Sequence, residues 1–186
     1  QATAVNERCG RWRLPLPQPP HLLERAPTSG VFLRCRRQSL VEAHGERIVP
    51  VALDVTNPEQ VAAIAAEASD VQVVVNNAGF AGQTDLFAED ISAARQEFDV
   101  NYWGVLNMLR AFVPVLESNG GGAVINVASV ASLVSFPPFP TYSDSKAAVH
   151  SMTQGLRLTK GTAGIQVVGV YPGPVDTDMA ADLEME

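Results

Sequence analysis

Short apolar runs alternate with segments of helical periodicity along the chain from residue 48 onward. The runs predict buried strands at Ile48–Leu53, Val71–Val75, Ala123–Ala128 and Ile165–Tyr171. Each run is continuous rather than alternating, which is typical of parallel strands that are covered on both faces. The succession of strands and helices therefore predicts an α/β fold with a doubly wound parallel sheet.

The segments between these runs repeat their apolar residues at three-to-four spacing, as helices do. Asn57–Pro58 predicts a helix start, and the apolar face that follows is Val61, Ile64, Ala65 and Ala68. A long helix is predicted for residues 91–116, with an apolar face of Phe98, Tyr102, Val105, Leu109 and Phe112. A further helix is predicted to begin with Thr141 as its cap and to end at Gly161–Gly164, with Ala148, Met152 and Leu156 facing inward.

Small or polar residues follow each predicted strand. They are Asp54, Asn76–Gly79, Ser129 and Pro172–Thr177. In open parallel sheets ligands bind beyond the carboxyl ends of the strands. Packing alone does not explain why four strand ends deliver such residues to one edge, so the sequence predicts a ligand site there.

Tyr142 and Lys146 stand four residues apart and therefore share one face of the predicted helix. Free tyrosine titrates near ~10 and free lysine near ~10.4. An ammonium about 4 Å from the phenolate contributes roughly 4 kcal/mol at an effective dielectric of about 20, which is enough to bring the pKa of the phenol toward neutral pH. A general acid–base catalyst works best in that range. The alternative is that Tyr142 only packs at the helix start, which is the commoner role of such a residue.

The composition suits a single soluble domain. The chain has 186 residues, 46% of them apolar, which is enough to bury a core. No apolar run approaches the ~18 residues of a membrane span, and no signal peptide is recognisable. Cys9 and Cys35 form no framework, so we expect reduced thiols and a cytoplasmic location. The first residue is Gln rather than Met, so we expect the chain to begin within a longer product.

The net charge of −7 is unevenly distributed. Residues 1–47 hold eight Arg against four Glu, while residues 48–186 hold five basic and sixteen acidic residues. The acidic body argues against nucleic acid as a partner. His21, His44 and His150 have no ligand spacing, so no metal site is assigned.

Taken together, these residues resemble the short-chain dehydrogenase/reductase family. The matching motifs are Asp54–Val55, Asn76–Gly79, Asn101 in the long helix, Ser129 thirteen residues before Tyr142, Lys146 four after it, and Pro172–Gly173 leading to Thr177. The resemblance covers roughly residues 36–180. It implies a Rossmann-like domain that is incomplete at both ends.

The resemblance also implies a role for each matching residue. Tyr142 would be the general acid–base, with Lys146 lowering its pKa and holding the nicotinamide ribose. Ser129 would hydrogen-bond the substrate oxygen, and Asn101 would keep a water in a proton relay to Lys146. Cofactor contacts would come from Asp54, Val55, Asn76, Ala78, Gly79, Tyr142, Lys146, Pro172, Gly173 and Thr177.

The residues alone leave simpler alternatives open. Asn76–Gly79 suits a strand-ending turn, Ser129 and Asp54 suit caps, and Asn101 suits a residue that satisfies backbone groups where a helix bends. The segment Phe136–Pro140 either lines a substrate wall or covers the core.

The two ends of the chain depart from the family pattern. The best match to the family's glycine-rich turn is Thr3–Gly10, where Ala4 and Arg8 replace glycines. Four prolines between residues 15 and 20 interrupt the helix that should follow, each costing about 3 kcal/mol inside a helix. We therefore predict that residues 1–30 are poorly ordered, as after a frameshift or wrong splice, with Gly10 as their one cofactor contact. Residues 31–186 would form the Rossmann-like domain, truncated before the substrate lid.

The implied activity is hydride transfer between a nicotinamide cofactor and a carbonyl or alcohol of a small molecule. Arg36–Arg37 after the second predicted strand favours the 2′-phosphate of NADP, with NAD as the alternative. The sequence is also compatible with an alternative function, that of a catalytically inactive fragment or an interaction protein. The resemblance further implies a homo-oligomer formed through the helices around Asn101–Leu116 and Tyr142–Leu158, and no membrane partner.

Overall fold

A mostly parallel sheet organises the molecule. The computed structural model describes residues 49–173, together with the backbone of two strands near the start of the chain. The strands in these ranges are β1 Ala2–Glu7, β2 Gly10–Trp12, β3 Val71–Asn76, β4 Gly122–Val127 and β5 Ile165–Val170. Their order in the sheet is β2-β1-β3-β4-β5. Strands β1, β3, β4 and β5 run parallel, and β2 is antiparallel to β1. The predicted α/β fold with a parallel sheet is confirmed.

Helices connect the parallel strands. They are α1 Pro58–Glu67, α2 Ser92–Phe98, α3 Gly104–Ser118 and α4 Pro140–Lys160. A π-helical segment, Asp99–Trp103, joins α2 directly to α3. The long helix predicted for residues 91–116 is therefore present, with a change of helical register in its middle. Short 3₁₀ turns lie at Val130–Ser132 and Gly161–Ala163.

The start of α1 follows from its sequence. The Asn57 side chain accepts hydrogen bonds from the backbone N–H groups of Glu59 and Gln60, at 3.0 Å each, and Pro58 occupies the first turn. The predicted apolar face is buried and packs on α3: Val61, Ile64, Ala65 and Ala68.

The core lies between the strands and α3. Its largest fully buried side chains are Met108, Phe112 and Leu116, which recur at helical spacing along α3. They contact a cluster that includes Val74 of β3 and Val124 of β4. Because α3 and β3 are both anchored in this core, the polar residues that follow β3 are held on a rigid base.

Three local predictions were wrong. The strand predicted at Ile48–Leu53 is not formed in its described part. Among residues 49–53 only Val51 forms a β-bridge, since Pro50 has no N–H to donate to a strand ladder. The cap residue of α4 is Phe139 rather than Thr141, because Pro140 fills the first helical position that its fixed φ favours. The inward face of α4 is centred on Lys146, Val149 and Thr153, so the predicted Ala148, Met152 and Leu156 are only half-buried.

Within residues 1–30, which we predicted to be poorly ordered, the described residues form β1 and β2. The rest of that range lies outside the described residues, so the prediction for the whole range stays untested. Strand β1 pairs in parallel with β3, from Ala2 opposite Val71 to Asn6 opposite Asn76. Without this partner, the backbone groups on that edge of β3 would be left unpaired. Gly10 lies in β2, opposite Glu7, rather than in a loop that follows a strand. Among the helices of the described ranges, none has the length and apolar character needed to cross a membrane.

Candidate active site

A chain of buried side-chain hydrogen bonds ties the carboxyl ends of β3 and β4 to α4. Asn76 Nδ2 donates to Asn126 Oδ1 at 2.8 Å, and Asn126 Nδ2 donates to Thr153 Oγ1 at 2.9 Å. Thr153 in turn donates to the Val149 carbonyl of α4. Polar groups buried in this way fix one arrangement because each alternative would leave a group unpaired. The sheet edge and the helix that carries Tyr142 therefore hold a defined relative position.

Ser129 is positioned by its own turn. It lies two residues after the end of β4 at Val127 and caps the 3₁₀ turn Val130–Ser132. Its Oγ accepts from the Ala131 N–H, and its own N–H donates to Ser132 Oγ, both at 3.1 Å. Ser129 is thus the cap that the alternative reading suggested. Its hydroxyl hydrogen is not used in the cap and can still be donated to another oxygen.

Tyr142 and Lys146 lie in the first turns of α4 as predicted. Lys146 is 4% exposed, and its Nζ donates to the Val127 carbonyl at 3.0 Å, at the end of β4. The same Nζ lies 5.7 Å from the centre of the Tyr142 ring. Burial lowers the pKa of Lys146 to about 8. The ammonium, the phenol and the end of β4 therefore share one small region.

The pKa of Tyr142 is raised, whereas the sequence predicted that Lys146 would lower it. Burial raises it above the ordinary tyrosine value, hydrogen bonding with the Ser129 side chain lowers it, and the charge of Glu97 raises it further. Lys146 is not among the causes of this shift. The expectation that Lys146 acidifies the phenol overlooked desolvation, which acts on both groups and also weakens the charge of the lysine.

Asn101 holds the loop that follows β3. It lies in the π-helical segment, is fully buried, and its Oδ1 accepts from the Phe80 N–H at 2.8 Å. Its Nδ2 donates to the Phe80 carbonyl at 2.8 Å and to Ser145 Oγ at 2.9 Å. Asn101 therefore satisfies backbone groups of the loop at Phe80, and the alternative that it satisfies the backbone of its own bent helix is not seen among these bonds. The water relay to Lys146 stays a prediction.

Three of the residues predicted to meet a cofactor, Val55, Asn76 and Ala78, line a shallow, narrow depression between β3 and the start of α3. Its other lining residues are Val100, Gly104, Val105 and Met108. Asn76 Oδ1 is buried and has no hydrogen-bond partner among the described residues. An apolar wall with one free acceptor suits contact with part of a nucleoside, which presents a flat ring and several donors, so the chemistry of these residues fits a nicotinamide dinucleotide.

The remaining cofactor candidates are distributed around this edge. Gly79 lies beside Asn101 and Lys146, and a Cβ at Gly79 would be 3.6 Å from Lys146 Nζ. The Asp54 carboxylate accepts from the N–H and hydroxyl of Thr56, so its observed role is to shape the turn before α1. The Pro172 carbonyl accepts from the Val130 N–H at 3.0 Å. Gly173 is exposed after β5, while Arg36 and Thr177 lie outside the described residues.

The aromatic segment before α4 divides into two parts. Phe139 is buried, whereas Phe136 is 40% exposed and stacks on Phe139 with 5.8 Å between ring centres. Phe139 is therefore packed inside the protein, and Phe136 is the residue of this pair that is open to the surface.

Three buried polar residues of this region were missed in the sequence. Glu97 is fully buried and accepts from the Gly82 N–H, and Asn126 and Thr153 belong to the hydrogen-bond chain described above. Two of the three had a sequence signal. Asn126 interrupts an apolar strand, and Glu97 lies four residues before Asn101 on the same helical face.

Comparison with known proteins identifies the family. The family model described as short chain dehydrogenase matches residues 34–186. The chain belongs to the short-chain dehydrogenase family. Its fold agrees with that assignment: a short-chain dehydrogenase from Burkholderia cenocepacia J2315, solved in complex with NADP, is 47% identical with a TM-score of 0.72, over 76% of this chain and 62% of that one.

Curated members of the short-chain dehydrogenase family are similar along most of the chain. The 2-(R)-hydroxypropyl-CoM dehydrogenase of Xanthobacter autotrophicus is 34% identical over 74% of this chain and 58% of its own length. The 1-deoxy-11-beta-hydroxypentalenate dehydrogenase of Streptomyces exfoliatus is 35% identical over 80% of this chain and 56% of its own. The chain thus spans little more than half the length of these curated relatives.

Proposed function

We propose that this chain is part of an NADP(H)-dependent oxidoreductase that acts on the carbonyl or alcohol group of a small molecule. The observation that carries the proposal is the meeting of Tyr142, Ser129 and Lys146 at the carboxyl edge of the sheet, next to the depression lined by Val55, Asn76 and Ala78. The relative solved with NADP supports the choice of this cofactor, and Arg36–Arg37 supports it from the sequence.

The residues of the site divide the chemistry between them. When bound, NADP(H) supplies hydride transfer, which is the cofactor's own reaction. Tyr142 Oη would give a proton to the substrate oxygen in the reduction and take one back in the oxidation. Ser129 Oγ would donate a hydrogen bond to the same oxygen, where negative charge develops. Asp54, Val55, Asn76, Ala78 and Gly79 would hold the cofactor, with Pro172, Gly173 and Thr177 at its nicotinamide end.

Two features outside this site belong to the same proposal. We keep the cytoplasmic setting expected from the sequence and the homo-oligomer formed through the helices around Asn101–Leu116 and Tyr142–Leu158. The exposed Trp103 and Leu158 support such an interface, since their side chains are 50% and 84% exposed. The domain limit at residue 31 also remains a prediction.

A binding titration paired with one variant tests the activity. We expect NADPH to bind the purified chain with micromolar affinity and to bind Tyr142→Phe equally well. Turnover over a panel of carbonyl compounds should fall by about 10²–10⁴-fold in Tyr142→Phe, because the proton donor is lost. Tyr102→Phe makes the same chemical change outside the site and should keep its activity.

Failure of the wild-type chain to bind NADPH or NADH at millimolar concentration would contradict the proposal. The alternative would then remain: an inactive fragment or an interaction protein. Binding without any turnover would instead indicate a nucleotide sensor.

A further inference from the structure

Glu97 is a fully buried carboxylate that the proposed reaction does not use. It lies near the end of α2, and its Oε1 accepts from the Gly82 N–H at 2.7 Å. Its Oε2 is buried with no hydrogen-bond partner among the described residues. A buried carboxylate with one oxygen unpaired is costly, so its presence calls for a specific role.

Glu97 and Asn101 hold the same loop from neighbouring turns. Asn101 binds both backbone groups of Phe80, and Glu97 binds the N–H of Gly82. Gly82 lies directly on α2, since a Cβ there would come within 2.6 Å of the Ala93 Cβ. Two residues further on, the Thr84 carbonyl accepts from the Thr141 hydroxyl at the start of α4. The loop is therefore fixed between α2 and the helix that carries Tyr142.

The ionisable groups around Glu97 are few. Helix α4 packs against α2 and contributes Tyr142, on whose pKa the charge of Glu97 acts, and Lys146, which donates to Val127. The other ionisable residues of these elements and of the connecting loop are exposed or half-buried. The exposed ones are Asp85, Glu89, Asp90, Arg95, Asp99, Asp144 and Arg157, and the half-buried ones are His150 and Lys160.

We propose that Glu97 is a positioning residue of the Tyr142 centre: it fixes the loop 80–82 on α2 and makes proton transfer at Tyr142 depend on a buried carboxylate charge. The inference rests on the proposed function only in its final step, since both contacts exist in the protein without substrate. Burial is the main cause that raises the pKa of Tyr142, and an anion in this place adds to it by opposing formation of the phenolate. It would keep the phenol protonated and ready to donate.

The variant Glu97→Gln separates the charge from the contact. Its amide oxygen can still accept from the Gly82 N–H, while the negative charge is gone. We expect the phenolate absorbance of Tyr142, taken as the difference between each protein and its Tyr142→Phe form, to appear at lower pH in Glu97→Gln. Glu89→Gln is the matched control, since Glu89 is an exposed carboxylate of the same region, and it should leave the titration unchanged. Equal midpoints in the wild type and Glu97→Gln would overturn the charge part of the proposal.

The positioning part is tested by hydrogen exchange at the amide of Gly82. Glu97→Gln should keep its protection, whereas Glu97→Ala should exchange roughly two- to tenfold faster because one hydrogen bond is lost. Unchanged exchange in Glu97→Ala would contradict the positioning role, and if that variant does not fold, the Glu97→Gln titration still decides the proposal. Neither measurement needs turnover, so a failed NADPH titration and a failed Glu97 experiment give different results. Where turnover is measurable, the pH profile of kcat should shift in the same direction in Glu97→Gln and not in Glu89→Gln.

Discussion

The change Asn101→Asp removes two hydrogen-bond donors from the centre of the molecule without changing the shape of the side chain. The remaining acceptor can still take the bond from the Phe80 N–H. The Phe80 carbonyl and Ser145 Oγ lose their donor and would face a carboxylate oxygen instead, and Ser145 Oγ keeps only the bond that it donates to the Tyr142 carbonyl. Asn101 is fully buried, so water cannot replace the lost donors without opening the structure.

The expected cost follows from the number of groups left unpaired. A buried polar group that loses its partner costs about 1–3 kcal/mol, so the two groups together predict a loss of about 2–6 kcal/mol. That is a large part of the ~5–15 kcal/mol by which domains of this size are stable. Asn119→Asp is the matched control: Asn119 also donates twice, to the carbonyls of Ser69 and Val71, but it is exposed. There water can satisfy both carbonyls, so we expect a loss of at most about 1 kcal/mol.

Urea unfolding followed by far-UV circular dichroism measures the difference between the two variants. The free energy of unfolding of Asn101→Asp should be lower than that of Asn119→Asp by at least about 1 kcal/mol, at an unchanged m-value. If both variants lose the same amount, the Asn101 bonds do not act as a buried network. Turnover should fall in Asn101→Asp and persist in Asn119→Asp, because Asn101 fixes the loop beside Lys146.

Two further predictions concern packing and pH. Gly104→Ala would place a Cβ 2.6 Å from Val55 Cγ2, an overpacking that costs about 1–3 kcal/mol and displaces a wall of the depression where we propose that the cofactor binds. In a double-mutant cycle with Val55→Ala, measured by unfolding and NADPH affinity, the two losses should be less than additive, and strict additivity would refute the contact. Lys146 has a folded pKa of about 8, below the 10.5 of the free side chain, so the unfolded chain binds the extra proton between these values. Wild-type stability should therefore rise by up to about 3 kcal/mol relative to Lys146→Met as pH rises through this window, and parallel stability curves for the two proteins would contradict it.

Much of the fold could be predicted because the apolar pattern that marks the strands and helices is set by local sequence. The runs at Val71–Val75, Ala123–Ala128 and Ile165–Tyr171 gave three strands to within one residue at each end. The start of α1 at Asn57–Pro58 was equally clear, since a cap and a first-turn proline act locally. Strand β1 was not foreseen, because its pairing depends on the open edge of β3 rather than on its own sequence.

The site was predicted by the types and spacing of its residues but not by their energetics. Tyr142, Ser129 and Lys146 do meet, yet the pKa of Tyr142 is raised rather than lowered. Spacing on a helix says that two side chains share a face, whereas desolvation depends on everything packed around them. Glu97 was missed for the same reason, since a glutamate in a helical segment usually faces solvent.

Because of the π-helical segment Asp99–Trp103, one uninterrupted length of helix packs against two different sets of elements. One additional residue in a turn rotates everything beyond it by about 100° relative to a regular α-helix. On one side of this offset α2 faces α4, and on the other side α3 faces α1, β3 and β4. Deleting a single residue there would restore regular α-helical hydrogen bonding, but it would also turn one of these two faces away from its partner. Inserting or deleting one residue at this point would thus require either α2 or α3 to repack against its neighbouring elements.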